Sequence, residues 1–257
     1  MLLGFCATIQ NETVSNIVYY LAFFIPIFLG IGYIFGNKTN TATGNLNKAP
    51  LNDFKLKKDD VLFTLPIITP EILIVLVLSV LTGALMKLIG QENISSFEEP
   101  FIVAIFTHAL IPAVLEELLF RFIPIKLLSG EEKNAIIISS FMFAFAHASL
   151  FQIPYAFVAG LIFALVYIYT GNIFTSITMH FMSNLFSLLT IYGFLGIWLW
   201  ITFSALLVAS LVVIFVRRKT YAEALKLLLS KEKITIYYPP IIFAILSLSL
   251  AISVFFA

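Results

Sequence analysis

Glu116, Glu117 and Arg121 fall within one short run, "PAVLEELLFRF" (Pro112 to Phe122), set in some of the most apolar sequence of the chain. A carboxylate can take a proton from water, and an arginine four positions along a helix from a carboxylate shares its face and can neutralise it. Glu117 and Arg121 have that spacing. Glu116 lies about 100° round the helix and is left to face a cavity. Two further runs carry imidazoles: "FAFAH" puts Phe143 and His147 on one helical face, and "HFMSN" does the same for His180 and Asn184. A carboxylate, two imidazoles and a carboxamide converging from three helices would activate water, with a base, an orienting partner and donors for a developing oxyanion.

Each of these residues also has a plainer reading. A single histidine on an apolar helix is more often a packing residue than a catalytic one. Yet all three histidines lie in apolar runs and none in a loop, and ionisable groups at lipid depth cost a few kcal/mol each unless paired or hydrated. His108 stands two turns before Glu116, roughly 12 Å along the axis, and reads as packing or as a residue behind the site. Glu71 sits in "TPE", where Thr69 can cap and Pro70 can open a helix, so its carboxylate reads as a helix-end feature.

The elements that must position these groups are membrane helices. The chain is 61% hydrophobic and 11% charged, with a mean hydropathy of +1.04, which excludes an ordinary soluble domain. At roughly 20 apolar residues per span, the reading is all-α: a polytopic helix bundle with about eight transmembrane helices, near 14–36, 70–89, 100–123, 135–151, 154–170, 173–193, 195–216 and 239–257. It is taken as one membrane domain over 1–257. The first segment lacks a basic leader and reads as a retained span. With one cysteine, Cys6, the chain offers no internal disulfide and no cysteine-ligated zinc.

On this eight-helix frame all but Lys87 of the 15 lysines and arginines fall on one side. The positive-inside rule makes that side the cytoplasm and puts both termini outside. Residues 37–60 read as a cytoplasmic loop. "YAEALKLLLSKE", Tyr221 to Glu232, reads as an interfacial amphipathic helix with Leu225, Leu228 and Leu229 on one face. Glu116 and His180 then lie about 7–8 residues from the cytoplasmic helix ends and His147 nearer about 12, so a site open to the cytoplasm requires the fourth helix to start late or to tilt.

Taken together, "EELLFR", "FAFAH" and "HFMSN" match EExxxR, FxxxH and HxxxN in order and spacing. The chain in this respect resembles the CPBP family of intramembrane proteases, also called the CAAX protease and bacteriocin-processing or Abi family, over a core of 111–188. The resemblance implies an endopeptidase that hydrolyses lipidated or hydrophobic membrane-associated peptides. Carried onto these positions, Glu116 is the general base aided by His147, His180 and Asn184 stabilise the oxyanion, and Glu117 with Arg121 braces the site. Phe143 supports it.

No cofactor is expected. Zinc is the less favoured alternative, because no HExxH is present and Asn184 is a poor ligand. Expected partners are membrane lipids and the peptide substrate, with a membrane-protein partner also compatible and nucleic acid not. The alternative function is an immunity or scaffold protein that regulates a partner with little proteolysis. A small transporter ranks last for want of internal repeats. The expected location is a bacterial plasma membrane.

Overall fold

Two prolines would ordinarily end a helix, yet the first long helix carries both inside it. The computed structural model describes residues 24–34, 36, 54–91, 99–128, 130–194 and 196–230. Among these, every long element is helical: α1 (Phe24–Ile34), α2 (Lys58–Leu88), α3 (Phe101–Leu127), α4 (Glu132–Ala146), α5 (Ile153–Thr170), α6 (Ile173–Ile191), α7 (Ile197–Val216) and α8 (Arg218–Leu228).

Helix α2 starts well before Pro70, which corrects the expected boundary. Asp59 and Asp60 occupy its first turn, where the helix dipole favours them. The Lys57 backbone N–H donates to Asp60 Oδ2 at 3.0 Å. Pro66 supplies no N–H, so the Leu62 carbonyl one turn earlier loses its helical donor. Arg217 replaces it, donating from Nη1 to Leu62 O at 2.8 Å. Thr69 caps nothing; its hydroxyl donates to Ser210 Oγ of α7 at 2.8 Å. Glu71 is therefore inside a helix and fully buried, not at a helix end.

Among the described residues four helices, α2, α3, α5 and α7, are long and apolar enough to cross a membrane. Helix α4 has 15 residues and ends at Ala146 rather than near 151, which leaves His147 at its C-terminus. The expected span at 239–257 lies outside the described residues, as do most of the 37–60 loop and the start of the first span. Helix α8 is the surface helix that the sequence pattern suggests, starting slightly earlier. Tyr221 and Ala224 face the protein while Leu225 and Leu229 stay exposed, as an interfacial helix requires.

Close approach of α4 and α5 rests on Gly160. A Cβ there would meet Ser140 Cα at 3.1 Å and Arg121 Nη2 at 3.2 Å, so any side chain would press on both the neighbouring backbone and the buried guanidinium. At the other end of α5, Gly171 takes φ 66°, the left-handed C-cap that glycine adopts without strain. Asn172 follows as the N-cap of α6, accepting from the Phe174 N–H at 2.9 Å. That turn fixes the register of the helix carrying His180.

The helices alternate direction, so the molecule has two chemically distinct ends. Tyr221 of α8 donates to Phe63 O at 3.1 Å, and Lys133 of α4 to Ser230 O at 3.0 Å, which gathers the basic residues at one end. At the opposite end Tyr192 donates to Glu99 O at 2.6 Å, and Phe101 packs against Tyr192 and Phe194.

Candidate active site

Helix α3 is not a uniform α-helix. Two π-helical segments, Ile105–Leu110 and Leu118–Phe122, flank the α-helical Ile111–Glu117. Each is followed two positions later by a proline, Pro112 or Pro124, whose missing N–H disrupts the normal ladder. Such wide turns recur at functional sites, and here they bracket the two glutamates.

Glu117 is the buried centre of the polar cluster. Its Oε1 lies 3.1 Å from Arg121 Nη1 and 3.0 Å from His180 Nδ1. Both Glu117 and Arg121 are wholly buried, so each charge depends on the other. A carboxylate only accepts, so His180 Nδ1 carries the proton toward Glu117. The other ring nitrogen, Nε2, lies 3.8 Å from Glu116 Oε2. Glu116 is 14% exposed, the more accessible of the two carboxylates. On α4, His147 Nδ1 donates to Phe143 O at 2.9 Å, which leaves the Nε2 lone pair available.

Phe143 joins these groups. Its ring centroid is 3.9 Å from the Arg121 guanidinium carbon, a cation–π contact. It meets His147 and His180 edge-on at 4.9 and 5.3 Å. Phe163 of α5 stacks on the other side of His180 at 5.3 Å. The imidazole is thus fixed by a carboxylate and two rings.

Phe143, His147, His180 and Asn184 line a cavity of about 290 Å³. Glu117 and Arg121 lie buried beneath it, and Glu116 reaches the group through His180 and is not on the cavity wall. All seven residues singled out in the sequence therefore belong to one neighbourhood, in three positions: wall, floor and flank. Among the described residues, no group of three His, Cys, Asp or Glu side chains is arranged to hold a metal ion.

Three features escape the sequence reading. His108 is not a packing residue: it lines the cavity, its side chain is 41% exposed, and its Nε2 lies 2.6 Å from Glu99 Oε1. The Glu99 carboxyl is held below its ordinary value by its own backbone N–H and by His108. Phe163 has no motif to announce it, being set by helix packing alone. Glu71 receives the Ser183 hydroxyl at 3.2 Å, next in sequence to Asn184.

That Glu71 contact carries a prediction. Ser183→Ala leaves the buried carboxylate without its donor and is expected to cost about 1–3 kcal/mol. Replacing both partners, Ser183→Ala with Glu71→Leu, removes the unsatisfied group and recovers most of the loss. Thermal unfolding in detergent of the single and double variants measures both.

The cavity also has a direction. His147 ends α4, Gln152 precedes α5, Ser187 and Ile191 sit in the last turns of α6, and all four line it. The floor, toward the basic end, is closed by Arg121, Phe143 and Phe163, each at most 3% exposed. The opening lies at the end away from the basic residues.

Residues 98–186, which hold the seven residues singled out in the sequence, match the family model "Type II CAAX prenyl endopeptidase Rce1-like". This stretch is similar to the CAAX proteases of the Rce1-like family. No curated protein and no solved structure matches the chain. The Rce1-like match spans the EExxxR, FxxxH and HxxxN positions in one stretch, the same stretch that folds around the cavity.

Proposed function

We propose that the Rce1-like domain is an intramembrane endopeptidase that hydrolyses lipidated or hydrophobic membrane-associated peptides with water activated by Glu116. The observation that carries this reading is the convergence of Glu116, His147, His180 and Asn184 beside one cavity within an Rce1-like segment. A gap of 3.8 Å between Glu116 Oε2 and His180 Nε2 is too long for a direct hydrogen bond and suits a water lying against both.

Glu116 takes a proton from water while His147 Nε2 accepts the water's second hydrogen bond, and the hydroxide adds to the scissile carbonyl. Asn184 Nδ2 donates to the oxyanion that forms, and His180, acting as an imidazolium with Nδ1–H on Glu117, donates from Nε2. Glu116 then returns its proton to the leaving amine as the C–N bond breaks, giving a carboxylic acid and an amine, which exchange a proton on release. Glu117, held by Arg121, orients His180 and stabilises its imidazolium, as a buried carboxylate does for an imidazole in hydrolases generally.

An apolar side branch supports a hydrophobic substrate. A second cavity of about 240 Å³, walled by Ile72, Val75, Leu76 and Phe186, shares Val75, Tyr155, Ser183, Ser187 and Ile191 with the first. A chain entering from lipid could seat an apolar group there. No metal takes part in this scheme. The bacterial plasma membrane is our proposed location.

The test is proteolysis by the purified protein in liposomes, using fluorogenic prenylated-tail and hydrophobic peptides with and without a strong zinc chelator. Cleavage indifferent to chelator supports the scheme, and cleavage lost with chelator replaces it with a zinc mechanism. Asn184→Ala should lower kcat on the order of 10²-fold, as loss of one oxyanion donor does, with KM little changed.

A further inference from the structure

The direction of the cavity and the placement of charge together determine which side of the membrane the site serves. Lys58, Lys126, Lys133, Arg217, Arg218 and Lys226 all lie at one end of the bundle, where α2, α4 and α8 begin and α3 and α7 end. Among the described residues, the opposite end holds Lys87 alone of the lysines and arginines. Such an imbalance orients a membrane protein with the basic end in the cytoplasm.

The cavity opens the other way. His147 is 15 helical residues beyond Glu132, about 22 Å from the basic end, and Ser187 and Ile191 lie comparably far along α6. His180, at the bottom, lies only about 10 Å along α6 from the basic end. Between it and that end stand Arg121, Ser176, Ile173 and Ile136, none with measurable exposure. Among the described residues these close the cavity toward the cytoplasmic end, while Gln152, Ser187 and the exposed His108–Glu99 pair make a polar rim at the far face.

We propose that the mouth is extracytoplasmic and that the substrate is the hydrophobic segment of a membrane-associated peptide presented from outside, not a cytoplasmic tail. The chemistry rests on the reading above; the sidedness does not. The polar rim would meet the peptide backbone, and the branch between α2 and α6 would take an apolar side chain or acyl chain.

The experiment separates the two. In a Cys6→Ser background, Gln152→Cys and Phe194→Cys report the mouth end, and Lys219→Cys the basic end. Phe194 is 54% exposed and remote from the catalytic groups, so it reports sidedness even where the Gln152 variant folds poorly. A membrane-impermeant maleimide applied to intact cells should label Phe194→Cys and Gln152→Cys and should reach Lys219→Cys only after the membrane is opened. The reverse pattern overturns the proposal whatever the activity. In the functional arm, an impermeant fluorogenic hydrophobic peptide is supplied outside sealed vesicles carrying the wild-type chain. Cleavage should be confined to right-side-out vesicles; cleavage confined to inside-out vesicles overturns the proposal. Outside labelling of Phe194→Cys with no cleavage in either orientation sinks the endopeptidase and leaves the sidedness standing.

Discussion

Glu116→Gln is expected to reduce peptide hydrolysis on the order of 10⁴-fold, the upper range for loss of a positioned general base, while leaving the protein folded. Glutamine keeps the shape and loses only the ability to hold a proton. Because Glu116 is partly exposed and lies 3.8 Å from its nearest charged partner, no buried charge is stranded by the change. His180→Ala should cost a comparable factor, and the double variant should be no worse than either single one, since both serve the same water and the same oxyanion. Single-turnover cleavage of a fluorogenic peptide in liposomes measures this. Independent, multiplying losses would show that the two residues serve different steps.

Arg121→Met should act on the fold instead. The guanidinium sits under Phe143 and beside Glu117 with no exposed surface, so removing it leaves the Glu117 carboxylate buried without its cation. Breaking a buried pair in this way costs about 3–5 kcal/mol, enough to unfold many domains. Replacing both partners, Arg121→Met with Glu117→Leu, should recover much of that stability without recovering activity, because His180 loses its anchor. Thermal unfolding alongside the cleavage assay distinguishes the outcomes: a double variant as unstable as the single would show that the Phe143 contact, and not the pair, holds α3 to α4.

The polar cluster was legible because its spacing is local. Glu117 with Arg121, Phe143 with His147, and His180 with Asn184 are each one helical turn apart, and the Glu117–Arg121 contact survives even across a π-helical segment. The segregation of basic residues was legible for the same reason, since it needs only the number of turns in the chain.

What was missed depends on partners far away in sequence. Glu71 reads as a helix start because "TPE" is a good one, and nothing local reveals that Arg217 takes up the carbonyl freed by Pro66 or that Thr69 turns to Ser210 of α7. His108 was misread because its partner Glu99 lies before the helix and its exposure comes from the cavity it lines. Phe163 and Ser183 act through contacts across helices, which no spacing encodes. The expectation of a cytoplasmic opening followed from counting His180 and Glu116 inward from helix ends; the buried floor under His180 is a packing fact that such counting does not carry.

The shortness of α4 has a consequence for the surrounding lipid. Its 15 residues cover about 22 Å, against a hydrocarbon core of about 30 Å. The lipids beside α4 must thin, or the His147 end must lie in a dimple below the membrane surface. Acyl-chain length then becomes a control on how easily water and peptide reach the cavity, and the thickness of the host membrane is in effect part of the catalyst.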